Sequence, residues 1–112
     1  CFAISEAVDG AGQNFRTVFG IILRTGCGGG FVVDRKILSG PNAIAGEWGH
    51  NPIPWATDNE RHGPTCYCGK NGCIETFVSG PGLSKDFQNL TGENFPAIKI
   101  AGLAESGHKQ AK

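Results

Sequence analysis

The segment Cys66-Tyr67-Cys68-Gly69-Lys70-Asn71-Gly72-Cys73 places three thiols within eight residues, and a Gly-Glu-Trp-Gly-His run ends upstream at His50. Three thiolates and an imidazole form the ligand set of a closed, tetrahedral structural zinc site. So short a loop must turn back on itself to aim its sulfurs at one point, and Gly69 and Gly72 supply the backbone freedom. Two histidines compete for the fourth position. His62 lies four residues before Cys66, whereas His50 sits in a Gly-flanked turn. The Cys66-x-Cys68 pair is tighter than the usual two-residue knuckle, and redox-active or free thiols are the alternative reading.

The chain has 112 residues, five cysteines, and ten Lys plus Arg against ten Asp plus Glu. That length suits one domain with a modest core. Zero formal charge and the lack of a basic run argue against a nucleic-acid partner. No stretch approaches the roughly 18 apolar residues of a membrane span, and the start lacks a signal-peptide pattern. An odd cysteine count with three clustered thiols fits a metal in a reducing compartment better than a disulfide framework, so a cytoplasmic location is expected. The chain has no methionine and opens at Cys1 inside a helical pattern, which reads as a piece of something longer.

The expected order is a helix tail over residues 1–8, a buried strand over 17–23, a turn over 25–30, then strands over 31–33 and 36–38. Residues 39–65 form a long Pro- and Gly-rich loop that a metal could organise. Leu83, Phe87 and Leu90 fall at helical spacing, with Pro81 near the start and Gly92 just past the end. Ala97, Ile100, Ala101 and Ala104 repeat that spacing up to Gly107. The fold class is therefore α+β, a β-meander followed by a metal loop and helices. It divides into residues 1–38 (helix end and hairpins), 39–76 (loop) and 77–112 (helices).

Two further motifs are weaker on their own. Thr25-Gly26-Cys27-Gly28-Gly29-Gly30 could offer main-chain N–H groups to a phosphate, though it has no Walker lysine and no following helix. A tight hairpin without a ligand explains it equally well. If His50 and Cys73 share a metal, Glu47 and Glu75 lie near the same point, where carboxylates could accept hydrogen bonds from a polyol. Trp48 or Trp55 could offer an apolar face, and solvated loop glutamates are the plain alternative. For Cys27 and Cys1, outside the cluster, the plain reading is a small buried side chain.

Together, Thr-Gly-Cys-Gly-Gly-Gly, Ala-Gly-Glu-Trp-Gly-His and Cys-Tyr-Cys-Gly-Lys-Asn-Gly-Cys-Ile-Glu resemble the ROK family of bacterial sugar kinases and sugar-responsive repressors. The resemblance runs from Cys1 to about Gly92. Trp48 with Asn51-Pro52-Ile53-Pro54-Trp55 looks most like the fructokinase/hexokinase branch, since N-acetylglucosamine kinase-like members more often carry Phe at position 48. It implies part of an actin-like (ribonuclease H-like) domain and ATP-dependent phosphorylation of a hexose, with Mg2+. By matching motifs, His50, Cys66, Cys68 and Cys73 bind Zn2+. Glu47, His50 and Glu75 contact or orient the sugar, and Thr25, Gly26, Cys27, Gly28, Gly29 and Gly30 form a phosphate-binding hairpin.

Two departures qualify that expectation. The family's catalytic Asp falls just before the position of Cys1, so this chain alone is expected to be inactive. Arg24 stands where the family carries the first Gly of a Gly-Thr-Gly turn, and its Cβ is expected to restrict the turn and weaken nucleotide binding. The rival readings are the sugar-sensing domain of a ROK-type repressor and a zinc-stabilised binding module. Apolar surface on an excised piece would favour a homo-oligomer.

Overall fold

The computed structural model describes residues 2–112, so the readings that fall on Cys1 lie outside the described residues. The apolar, β-rich run Thr17–Leu23 (β1) pairs antiparallel with Cys27–Val33 (β2), in a register that sets Gly20 opposite Gly30 and Leu23 opposite Cys27. Lys36–Ile37 (β3) adds to the far edge of β2, giving the order β1-β2-β3 of a meander. Asp34 and Arg35 link β2 to β3 with φ of 48° and 60°. Positive φ at both central residues is the hairpin geometry that follows the right-handed twist of the strands.

Helix Phe2–Val8 (α1) lays Ala3 and Ala7 against Val32, with Ile4 and Val18 around them. The expectation of a buried β1 is corrected: Phe19, Ile21, Ile22 and Leu23 are all exposed. Alternate side chains of a strand point to opposite faces, and α1 covers only part of one of them. The turn between the strands is also shorter than expected, because Cys27, Gly28, Gly29 and Gly30 belong to β2 and only residues 24–26 turn. The absent side chain at Gly29 leaves room for Trp48, the Gly46 carbonyl and Phe19 to close on it.

Residues 39–65 contain no regular element. Helix Ile74–Val78 (α2) begins inside the segment expected to be loop, and Gly80–Thr91 (α3) and Ala97–Glu105 (α4) follow, with a 3-10 turn at Lys109–Ala111. The Ser79 hydroxyl accepts the Gly82 N–H at 3.1 Å, Pro81 lies in the first turn, and Gly92 closes α3 at φ 79°. Each is a standard start or stop signal. Of the apolar stripe on α3, only Phe87 is buried; it stacks on Phe95 at 5.9 Å, while Leu83 and Leu90 are exposed. Leu83 instead lines an open apolar groove with Leu23, Val78 and Ile98. Among the described residues, no helix is long and apolar enough to cross a membrane.

Phe87 and Leu90 therefore differ in weight although both lie on the same predicted stripe. Phe87→Ala should cost about 3–5 kcal/mol of stability, and Leu90→Ala less than about 1 kcal/mol, as read by urea denaturation.

Candidate functional site

A ladder of main-chain hydrogen bonds builds the site. Glu75 N–H donates to the Gly49 carbonyl and Ile74 N–H to the Asn51 carbonyl, both at 2.9 Å, while Ile53 N–H donates to the Gly72 carbonyl at 3.0 Å. His50 is thereby held beside Cys73. Cys66 N–H donates to the Lys70 carbonyl at 2.8 Å, and Gly69 N–H returns to the Cys66 carbonyl at 3.0 Å. Gly69 and Gly72 take φ of 86° and 71°, a conformation costly for a side chain bearing Cβ. The loop turns back at the two glycines singled out from the sequence.

The ligand atoms of His50, Cys66, Cys68 and Cys73 all lie within 4.8 Å of one another. Cys66 Sγ is 3.4 Å from His50 Nδ1, and Cys68 Sγ is 3.6 Å from Cys73 Sγ. A tetrahedron with Zn–S of about 2.3 Å has sulfur–sulfur edges of about 3.8 Å, so the four donors fit a metal ion with little rearrangement. His62, the competing fourth ligand, is exposed and stands outside this group at φ 67°.

Crowding of the thiols shapes their electrostatics. Burial and the neighbouring Cys68 and Cys66 thiols push Cys73 up to about 11. Cys68 is pulled below its usual value, chiefly by a main-chain hydrogen bond at Lys70. A bound cation reverses this logic by stabilising thiolates.

The same ladder aims two carboxylates at the β1–β2 turn. Glu75, in the first turn of α2, accepts the Cys27 N–H on Oε2 at 2.9 Å. Glu47 accepts the Gly49 N–H on Oε1 at 3.1 Å. Burial first, then the charges of Glu75 and Glu47, raise the Cys27 thiol above its usual value, so both carboxylates act on one point. A Cβ at Gly26 would stand 2.5 Å from Glu75 Oε2, so a side chain there would displace the carboxylate.

Trp48 donates from Nε1 to the Gly28 carbonyl at 3.0 Å and packs on β2. Trp55 projects into solvent, 96% exposed, and joins nothing at the site. Gly28, Gly29 and Gly30 line a cleft of about 350 Å³ together with Ser39 and Ala45. The expected restriction at Arg24 does not arise: Arg24 is not among the residues with positive φ, so its Cβ fits the turn. Its N–H donates to the Gly26 carbonyl at 2.9 Å, and its own carbonyl accepts the Gly80 N–H at 2.7 Å. Sequence reasoning missed Tyr67, whose hydroxyl lies 2.9 Å from His50 Nε2. Its position between two cysteines was the available signal.

The ROK family model matches residues 1–112. The chain belongs to the ROK family. It is 42% identical over 116 aligned residues to an N-acetyl-D-glucosamine kinase of Photobacterium profundum, covering 99% of this chain and 38% of that relative. It thus spans well under half the length of the curated relatives it matches. Among solved structures, a ROK hexokinase from Thermus thermophilus superposes with a TM-score of 0.82 at 28% identity, over 97% of this chain and 36% of that one. A ROK glucokinase from Streptomyces griseus, in complex with glucose and AMPPNP, gives 0.77 at 30%, over 96% and 38%. A ROK transcriptional regulator homologous to the E. coli MLC protein gives 0.78 at 26%, over 96% and 28%. The α+β architecture is thus part of the actin-like fold of ROK sugar kinases.

Four donors grouped in this way would link metal binding to pH. In the metal-free protein Cys73 holds its proton to about 11, above the ordinary thiol value of 9.0. The folded state then binds more protons than the unfolded one between those values, so stability should fall as pH rises from about 9 toward 11. Zinc affinity should instead rise with pH, because ligand thiols lose protons on binding. Thermal melts with and without chelator across that range check both signs.

Proposed function

We propose that this chain forms the sugar-side wall of an ATP-dependent hexose kinase of carbohydrate metabolism. Glu47 and Glu75 hold the sugar, His50 orients it from the metal loop, and Thr25, Gly26, Cys27, Gly28, Gly29 and Gly30 face the phosphates of ATP with its Mg2+. The observation that carries this reading is the Glu75 carboxylate on the Cys27 N–H at 2.9 Å, which ties the carboxylate wall to the glycine hairpin. In such a reaction the attacking sugar hydroxyl gives up its proton to a base, and its oxygen takes the γ-phosphoryl group as ADP leaves. The base falls outside this chain by family resemblance, so the 112 residues alone do not phosphorylate sugar.

His50, Cys66, Cys68 and Cys73 hold Zn2+ in this reading. With four protein ligands no position is open for substrate, and the ion supplies rigidity to the loop. Cysteines kept out of disulfides and ATP both belong to the cytoplasm, where we place the protein.

The substrate class follows the relatives first. The match to an N-acetylglucosamine kinase at 42% identity favours an N-acetylhexosamine. A fructokinase-like specificity is the second reading, supported by Trp48 with Asn51-Pro52-Ile53-Pro54-Trp55 in the sequence. A sugar-sensing repressor of the same family is the rival supported by the regulator-like fold.

Coupled assay of the full-length protein with ATP and N-acetylglucosamine, glucose or fructose separates these. Turnover highest on N-acetylglucosamine is expected; no turnover on any sugar, with sugar-dependent DNA binding, establishes the repressor. Gly26→Ala gives a second check, since its Cβ displaces the Glu75 carboxylate. It should raise the hexose KM on the order of tenfold or more, although it alters the hairpin rather than a sugar ligand.

A further inference from the structure

Resting on the metal reading of the cluster, we propose that Tyr67 is a positioning residue that fixes the His50 ring for metal binding. His50 presents its two nitrogens to different partners. Nδ1 faces the cluster, 3.4 Å from Cys66 Sγ, while Nε2 lies 2.9 Å from the Tyr67 hydroxyl. The two rings meet edge to face, with centroids 5.0 Å apart and planes at 86°.

A neutral imidazole carries its proton on one nitrogen and a lone pair on the other. Binding a metal through Nδ1 requires the proton on Nε2, where the Tyr67 oxygen accepts it. The hydroxyl thus selects the ligating tautomer and sets the rotation of the ring. Histidine ligands generally need such an outer partner, and in this chain a side chain lying between two of the other ligands supplies it.

The placement separates this role from packing. Tyr67 is 83% exposed, so the fold does not depend on its ring. Its main chain is fixed on both sides by Cys66 and Cys68, so the hydroxyl is delivered to His50 by the same loop that delivers the sulfurs. The tautomer and the sulfur positions are therefore set together.

Zinc affinity of the full-length protein, wild type and Tyr67→Phe, measured by competition with a chromophoric chelator, tests the proposal. Tyr67→Phe should lose about 10–100-fold in zinc affinity, while its cobalt(II) spectrum keeps the thiolate charge-transfer bands of an unchanged ligand set. A Tyr67→Phe affinity within twofold of wild type overturns the proposal. So does a loss confined to Tyr67→Leu, which would assign the effect to the ring edge instead of the hydroxyl. A wild-type protein that takes up no zinc overturns the metal reading itself and the Tyr67 role with it, and that outcome is distinct because it appears before any variant is compared.

Discussion

The main-chain ladder between residues 49–53 and 72–75 is the constraint on which the rest of the structure depends. Side chains at the cluster are separated by as much as 23 positions in sequence, as His50 and Cys73 are. Their donors meet because Gly49 and Asn51 accept from successive N–H groups at the start of α2. Peptide hydrogen bonds of this kind are each modest in net stability. Several acting on one short segment nevertheless leave the imidazole and the sulfurs few alternative positions.

From this corner two tethers reach the sheet. Trp48 holds the Gly28 carbonyl and Glu75 holds the Cys27 N–H, so the loop is fastened to adjacent residues of one strand. Neither tether uses a salt bridge, and both end on main chain. The glycines of β2 make this close approach possible, since Trp48 Cδ1 would stand 2.8 Å from a Cβ placed at Gly29. Their density in the sequence thus reflects proximity between segments as much as turning.

The sequence made much of this readable where chemistry is local. Ligand spacing located the cluster, Gly92 and Pro81 marked both ends of α3, and the apolar run over residues 17–23 matched β1 to the residue. Burial was less legible. An apolar run reads the same whether a second layer covers it or not, so the exposure of Ile21 and Leu23 could not be inferred from pattern. Helix α2 was missed because five residues give too little periodicity to detect, and its start is set by the ladder rather than by a capping side chain. The choice between His50 and His62 likewise depended on tertiary pairing, which spacing does not encode.

Cys73 stands immediately before α2 while Glu75 lies in its first turn, and this imposes a rule on how the chain can vary in length. Each residue added between them would rotate the carboxylate by about 100° around the helix axis, turning it away from the Cys27 N–H. The two-residue interval is therefore closed to insertion or deletion. Residues 54–62 make no ladder bond to either partner segment, and lengthening such a loop costs little in closure entropy. Length variation in this part of the protein should accumulate there, leaving the cluster and the carboxylate in register.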